Sequence, residues 1–171
     1  GGDVFDGRAM ATALRNHKAK VVAHIDGQAC SAATYIALAA DEVEIADGGF
    51  FMIHNAWTMA MGNSGDLLET AALLDKVDAS IVADYQRKTG KSAEQIAQWM
   101  SDTTWFTAQE TVEHGFADRI MEGQKAAKNQ WNLDAYGNAP AALMNKETEQ
   151  EPEIDRAALE RRLSLLEKIA L

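Results

Sequence analysis

Two residues of this 171-residue chain have the type and setting for nucleophilic catalysis. Ser31 opens a helix-forming run, and His54 ends an apolar strand-like run. A hydroxyl at a helix N-terminus stands beside backbone N–H groups that have no intrahelical acceptor and can meet developing negative charge. An imidazole at a strand-to-loop junction can take the hydroxyl proton during attack on a carbonyl. Serine is equally an ordinary helix N-cap, so the rest of the chain must decide between the two readings.

The other candidates are weaker. His17 sits among polar residues at a helix end and reads as solvated; His24 lies in an apolar strand and reads as a hydrogen-bonded core residue. His114 precedes a helix-ending glycine, where it suits the helix C-terminus. Cys30 is the single cysteine and reads as a buried small residue. It forms no internal disulfide and fits a reducing compartment. No histidine pair has the spacing of a helical metal site, so neither a metal nor another cofactor is expected.

The elements that would position these groups follow from pattern. Residues 3–16 read as an amphipathic helix after Gly1 and Gly2, 20–25 as a strand, and 31–40 as a helix reached through the small-residue turn Gly27-Gln28-Ala29-Cys30. Strands are expected at 42–46 and 50–54, separated by the turn Asp47-Gly48-Gly49, then a loop over 55–64. The longest helix spans 66–88, with Leu67, Ala71, Leu74, Asp78 and Ile81 along one face and Gly90 as its stop. Asp78 interrupts that stripe, so Val77 and Val82 should share the buried face. Ser92 with Gln95, and Thr107 with Glu110, are capping-box starts for two short helices, the second ended by Gly115. Between them, 101–104 reads as a polar loop, and 117–121 as the last strand.

After residue 122 the character changes. Residues 123–153 read as a linker, mixed in composition and then charged, and 154–171 as an amphipathic helix with Leu159, Leu163, Leu166 and Ala170 in a narrow stripe. The domain reading is therefore 1–122, 123–153 and 154–171.

Composition bounds the partners. With 47% hydrophobic and 25% charged residues the chain is ordinary for a soluble globular protein, and no apolar run is long enough to cross a bilayer. A formal net charge of -10 argues against nucleic acid and against an anionic membrane surface. The start Gly1-Gly2-Asp3 carries neither an initiator methionine nor a signal segment, which reads as a fragment or processed product.

Five segments in order, GGDV opening a helix, GQACSAA, FMIH, TGKSAEQI and WFTAQETVEHGFAD, resemble the Clp-type caseinolytic protease family across almost all of residues 1–122. The Trp105-Phe106-Thr107-Ala108 block and the C-terminal extension look most like the head maturation proteases of tailed phages and prophages. The resemblance implies an α/β fold of the ClpP and crotonase type, a spiral of strand-helix units, N-terminally incomplete here and carrying an appended C-terminal helix. It implies a serine endopeptidase with Ser31 as nucleophile, His54 as general base, and the N–H groups of Gly2 and Ala32 as oxyanion hole. It further implies a polypeptide substrate and a ring-like homo-oligomer in which helix 66–88 takes part in assembly. Phage capsid or scaffold proteins would be partners, and the setting the bacterial cytoplasm or an assembling prohead.

The third catalytic member departs from the pattern. The family acid should lie two residues before Trp105, at Thr103, with Asp102 one place earlier. Asp102 is the residue assigned to orient His54; the Thr103 hydroxyl or a Ser-His dyad are the other solutions. Three further classes stay open: a Ser-Lys protease of the signal-peptide-peptidase type using Lys76 or Lys88, a crotonase-like acyl-CoA enzyme, which Ser31 argues against, and a catalytically degenerate scaffold protein.

Overall fold

The computed structural model describes the backbone of residues 1–125 and the side chains through Met121. Eleven elements run in the order α1 (Val4–Arg15), β1 (Val22–Ile25), β2 (Gln28–Cys30), α2 (Ala32–Ala37), β3 (Glu42–Asp47), β4 (Phe50–Ile53), α3 (Ser64–Thr89), α4 (Ala93–Ser101), β5 (Thr104–Thr107), α5 (Ala108–Glu113) and β6 (Arg119–Lys125). The protein is thus a mixed α/β structure. β6 takes in the first positions of the linker expected over 123–153; the rest of that linker and the helix expected over 154–171 lie outside the described residues.

Local chemistry accounts for most boundaries. The Asp3 carboxylate accepts from Phe5 and Asp6 N–H to start α1. Asn63 and Asp66 form a reciprocal capping box at the start of α3, and Gly90 ends that helix at φ 70°, a conformation that costs glycine nothing. Ser92 caps α4, and Thr107 with Glu110 forms the capping box of α5.

The strands form two three-stranded sheets, ordered β1-β3-β6 and β2-β4-β5. The first is all parallel, with Ile25 opposite Ile45 and Ile45 opposite Ile120. In the second, β2 runs parallel to β4 with Cys30 opposite Met52, and β5 runs antiparallel to β4 with Thr104 opposite Ile53. The chain passes directly from the first sheet to the second at Asp26-Gly27 and at Gly48-Gly49, returning through α2 and α5, and the two direct crossings are tied by the Phe50 N–H donating to Gly27 O at 2.8 Å.

Two elements differ from expectation. Residues 28–30, read as part of a turn, form β2, and the polar stretch ending at Thr104 contributes the start of β5. Neither has a periodic apolar signature; parallel or antiparallel pairing to β4, buried at Phe51, Met52 and Ile53, overrides local propensity.

The core lies between the sheets and α2 to α5. Val43, Ile45, Phe51 and Ile53 from the strands meet Ile96, Met100, Phe106 and Phe116, and Phe51 stacks on Phe116 with ring centroids 4.9 Å apart. α1 packs on α2 through Gly7, where an added Cβ would stand 3.2 Å from both Cβ and O of Ala32. The face of α3 is only partly buried. Ile81 and Tyr85 are enclosed, Leu74, Val77 and Val82 are half-buried, and Leu67, Leu68, Ala71 and Leu73 are exposed. The reason is length: the 26 residues of α3 extend about 39 Å, against about 13 Å for a four-residue strand, so its first half outruns the sheets. Among the described residues no helix is long and apolar enough to cross a membrane.

Candidate active site

Ser31 stands at the point where β2 leaves its sheet. Its N–H donates to Met52 O at 2.9 Å, continuing the β2–β4 pairing by one residue. Its backbone then turns to φ 57°, ψ -129°, left-handed geometry that a non-glycine residue holds at a cost of about 1–3 kcal/mol. In that geometry the side chain makes no capping bond to α2. Instead Oγ lies 2.8 Å from Nε2 of His54. The cap role, the main competing reading of this serine, is therefore not what its hydroxyl does.

His54 follows directly on β4, so the parallel register that places Cys30 beside Met52 carries the imidazole to the serine. For Oγ–H to donate to Nε2, the ring proton must sit on Nδ1. Burial lowers the pKa of His54 below the ordinary histidine value. The imidazole is thereby kept neutral, the form that can accept a proton. The segment after it is held on both sides. Asn55 N–H donates to Met100 O on α4 at 3.2 Å, and Ala56 N–H donates to the Asp78 carboxylate on α3 at 2.7 Å. Asp78, an interruption of the apolar stripe in sequence, is thus the group that ties α3 to the exit of the histidine strand. A polar residue on an otherwise apolar face was the signal; its partner could not be read without the fold.

A cavity of about 260 Å³ adjoins the pair, lined by Gly1, Gly2, Ser31, His54, Trp57 and Ile81 among others. Gly1 passes close over the serine: a Cβ there would stand 2.9 Å from both Cys30 O and Ser31 Cβ. Gly2 lines the same cavity, and Ala32 N–H belongs to the first turn of α2, where no intrahelical acceptor exists.

Asp102 ends α4, and both its carboxylate oxygens accept from the Gln98 amide at 2.9 Å. Since Thr104 opposes Ile53, the strand pairing brings Thr103 level with His54 and Asp102 one residue further; Thr103 itself adopts φ 53°. Lys76 is exposed, and Lys88 pairs with Asp118 at 3.1 Å. Cys30 is buried and its thiol is pushed up to about 12 by burial, so it is inert as a nucleophile. His17 is exposed, as expected. His24 is not a core residue: it is exposed on β1, on the opposite face from the buried Ile25, with Nδ1 3.3 Å from Glu44, its register partner on β3. His114 packs between the rings of Trp99 and Phe106 at 4.8 and 5.4 Å.

Residues 1–124 match the Clp protease family. The ATP-dependent Clp protease proteolytic subunit of Streptococcus sanguinis is 33% identical over 137 residues, covering 71% of this chain and 64% of that protein. The subunit of the same name from Streptococcus pneumoniae (strain Hungary19A-6) is 32% identical over 130 residues, with the same coverage. That from Streptococcus equi subsp. equi is 31% identical over 139 residues, covering 74% of this chain and 67% of that protein. The chain thus spans 64% of the length of the first two of these relatives.

Proposed function

The chain belongs to the Clp protease family, and we propose that it is a serine endopeptidase that cleaves peptide bonds through an acyl-enzyme. The observation that carries this reading is the 2.8 Å contact between the strained Ser31 and His54 at the mouth of a cavity. His54 Nε2 takes the serine proton as Oγ attacks the scissile carbonyl. The carbonyl oxygen becomes anionic and is met by the N–H groups of Ala32 and Gly2, each such donor being worth about 3 kcal/mol in the transition state. His54 then returns the proton to the leaving amine, and water repeats the sequence to release the acyl group. We assign Asp102 to orient the imidazole.

The finer expectations belong to the same proposal. The strand-helix units form a spiral of the ClpP and crotonase type. The exposed apolar first half of α3 supports a role in a ring-like homo-oligomer. The Trp105-Phe106-Thr107-Ala108 block supports processing of phage capsid or scaffold polypeptides, within the bacterial host or the prohead.

Treatment of the full chain with a fluorophosphonate probe tests this. Stoichiometric labelling at Ser31 that disappears in His54→Ala is expected; a folded, assembled protein that stays unlabelled favours a scaffold. Asp102→Asn and Thr103→Val, compared for labelling rate, then separate the orienting residues. A slow Asp102→Asn supports the assignment, a slow Thr103→Val replaces it with the hydroxyl, and two unaffected variants leave a Ser-His dyad.

A further inference from the structure

The Ser31–Ala32 peptide carries two groups of interest in one rigid plane. Its C=O points one way and its N–H, the proposed oxyanion donor, points the other, because a trans peptide is planar. Whatever fixes the carbonyl therefore aims the N–H.

That carbonyl is fixed by a single side chain and its backbone. Thr34 donates to Ser31 O twice, from its N–H at 2.9 Å and from its Oγ1 hydroxyl at 2.6 Å. A hydroxyl has one proton, and Thr34 has given it to Ser31 O. The short 2.7 Å contact between Thr34 Oγ1 and the Tyr85 hydroxyl must then be a donation from Tyr85 to Thr34. Thr34 and Tyr85 are 0% and 1% exposed, so the chain Tyr85 O–H to Thr34 O–H to Ser31 C=O is almost wholly withdrawn from bulk solvent, with Tyr85 also lining the cavity. Burial raises the Tyr85 pKa well above its ordinary value, and the phenol stays a donor through any working pH.

We infer that Thr34 and Tyr85 are positioning residues that aim the Ala32 N–H at the reacting oxygen, an inference that rests on the oxyanion role proposed above. The arrangement suits the strained backbone. Ser31 N–H is held by Met52 O on one side and Ser31 C=O by Thr34 on the other, so φ 57° is fixed at both ends. Ile81 and Tyr85, one turn apart on α3, both line the cavity, so α3 supplies both a wall of the site and a link of the chain. Thr34 therefore does two things at once: its backbone builds the first turn of α2, and its hydroxyl sets the angle of the peptide before it.

The test reads inactivation of the full chain by a fluorophosphonate, in which Ser31 Oγ bonds to phosphorus, fluoride leaves, and His54 takes the serine proton. The phosphoryl oxygen occupies the place of the oxyanion. Thr34→Val keeps the shape and removes the hydroxyl. Deleting an oxyanion donor outright costs about 10²–10³ in rate, and a misaimed one should cost about tenfold in kinact with KI unchanged. Thr34→Ser should recover most of that loss, and Tyr85→Phe should lose about threefold. The acid limb of the rate profile, set by His54, should not move in any of them. A wild-type kinact in Thr34→Val, a loss confined to KI, no recovery in Thr34→Ser, or a shifted limb overturns the inference. Should Thr34→Val not fold, Tyr85→Phe decides alone, and a wild-type kinact there overturns it. If the wild-type protein is not labelled at Ser31, the protease reading fails and this inference with it; if it is labelled and the variants match it, only this inference fails.

Discussion

Replacing Asp78 separates the loss of a hydrogen-bond acceptor from the relief of a buried charge. Its carboxylate accepts the Ala56 N–H at 2.7 Å, two residues beyond His54. Burial raises its pKa, more than that hydrogen bond lowers it, and Asp75 adds to the rise. The folded protein therefore holds the Asp78 proton more tightly than the unfolded chain does. The contribution to stability is complete below the ordinary carboxyl value of about 3.9 and is lost as pH rises through the raised folded value. At neutral pH the ionised form is less favoured by folding than the protonated form, even though it satisfies Ala56. Asp78→Asn retains an oxygen for the N–H and removes the charge, so it should lie within about 0.5 kcal/mol of wild type at pH 7. Asp78→Ala leaves a part-buried N–H without an acceptor and should cost about 1–2 kcal/mol, or about 2–8 °C in Tm. Because the tether adjoins His54, only Asp78→Ala should slow fluorophosphonate labelling, by about tenfold. Urea unfolding at pH 7 and pH 4 measures the first effect and labelling rates the second. An Asp78→Asn variant as unstable as Asp78→Ala, or an Asp78→Ala variant indistinguishable from wild type, refutes the reasoning.

Three further predictions concern His54 and Gly7. Burial keeps the His54 pKa low, so the acid limb of kinact/KI should fall below the ordinary histidine value of about 6.5; a limb at or above it contradicts a buried base. The linked stability is present above about 6.5 and lost as pH falls through the lowered folded value, so His54→Gln should flatten the decline of the urea midpoint in that window. Gly7→Val would drive two methyl groups into Ala32 and Tyr35, where even a Cβ stands at 3.2 and 3.5 Å, and should destabilise by about 1–3 kcal/mol in urea unfolding; a neutral result would mean that α1 is not seated against α2.

The sequence was most legible where a local device sets the structure. Ser92, Thr107 with Glu110, Gly90 and Gly115 mark helix ends through side-chain or left-handed backbone chemistry that needs no distant partner, and all four ends fall where expected, Thr107 and Glu110 as a reciprocal capping box and Ser92 as a one-way cap that accepts the Gln95 N–H. Gln28-Ala29-Cys30 was not legible as a strand, since its claim to be one rests on β4, about twenty residues away. The face of α3 was half legible. Ile81 is buried as its spacing demands, whereas Leu67 and Leu68 have the same apolar character and no sheet beneath them, and periodicity cannot report where a neighbouring layer stops.

Ser31 shows most sharply why a site can be located in sequence while its chemistry stays ambiguous. A helix N-cap and a nucleophile share residue type and position; they differ in one dihedral. A capping serine holds its backbone in the extended region, which turns the hydroxyl onto the first helical N–H groups. At φ 57° the Cβ swings away from them, and the hydroxyl meets His54 at 2.8 Å. No propensity favours serine in that conformation, so no local pattern could announce it. What imposes it is tertiary: Met52 holds the N–H, Thr34 holds the C=O, and the parallel pairing of β2 with β4 brings the histidine alongside. The ordered segments around Ser31 carried the catalytic reading for this reason, since only they encode the pairing that bends it.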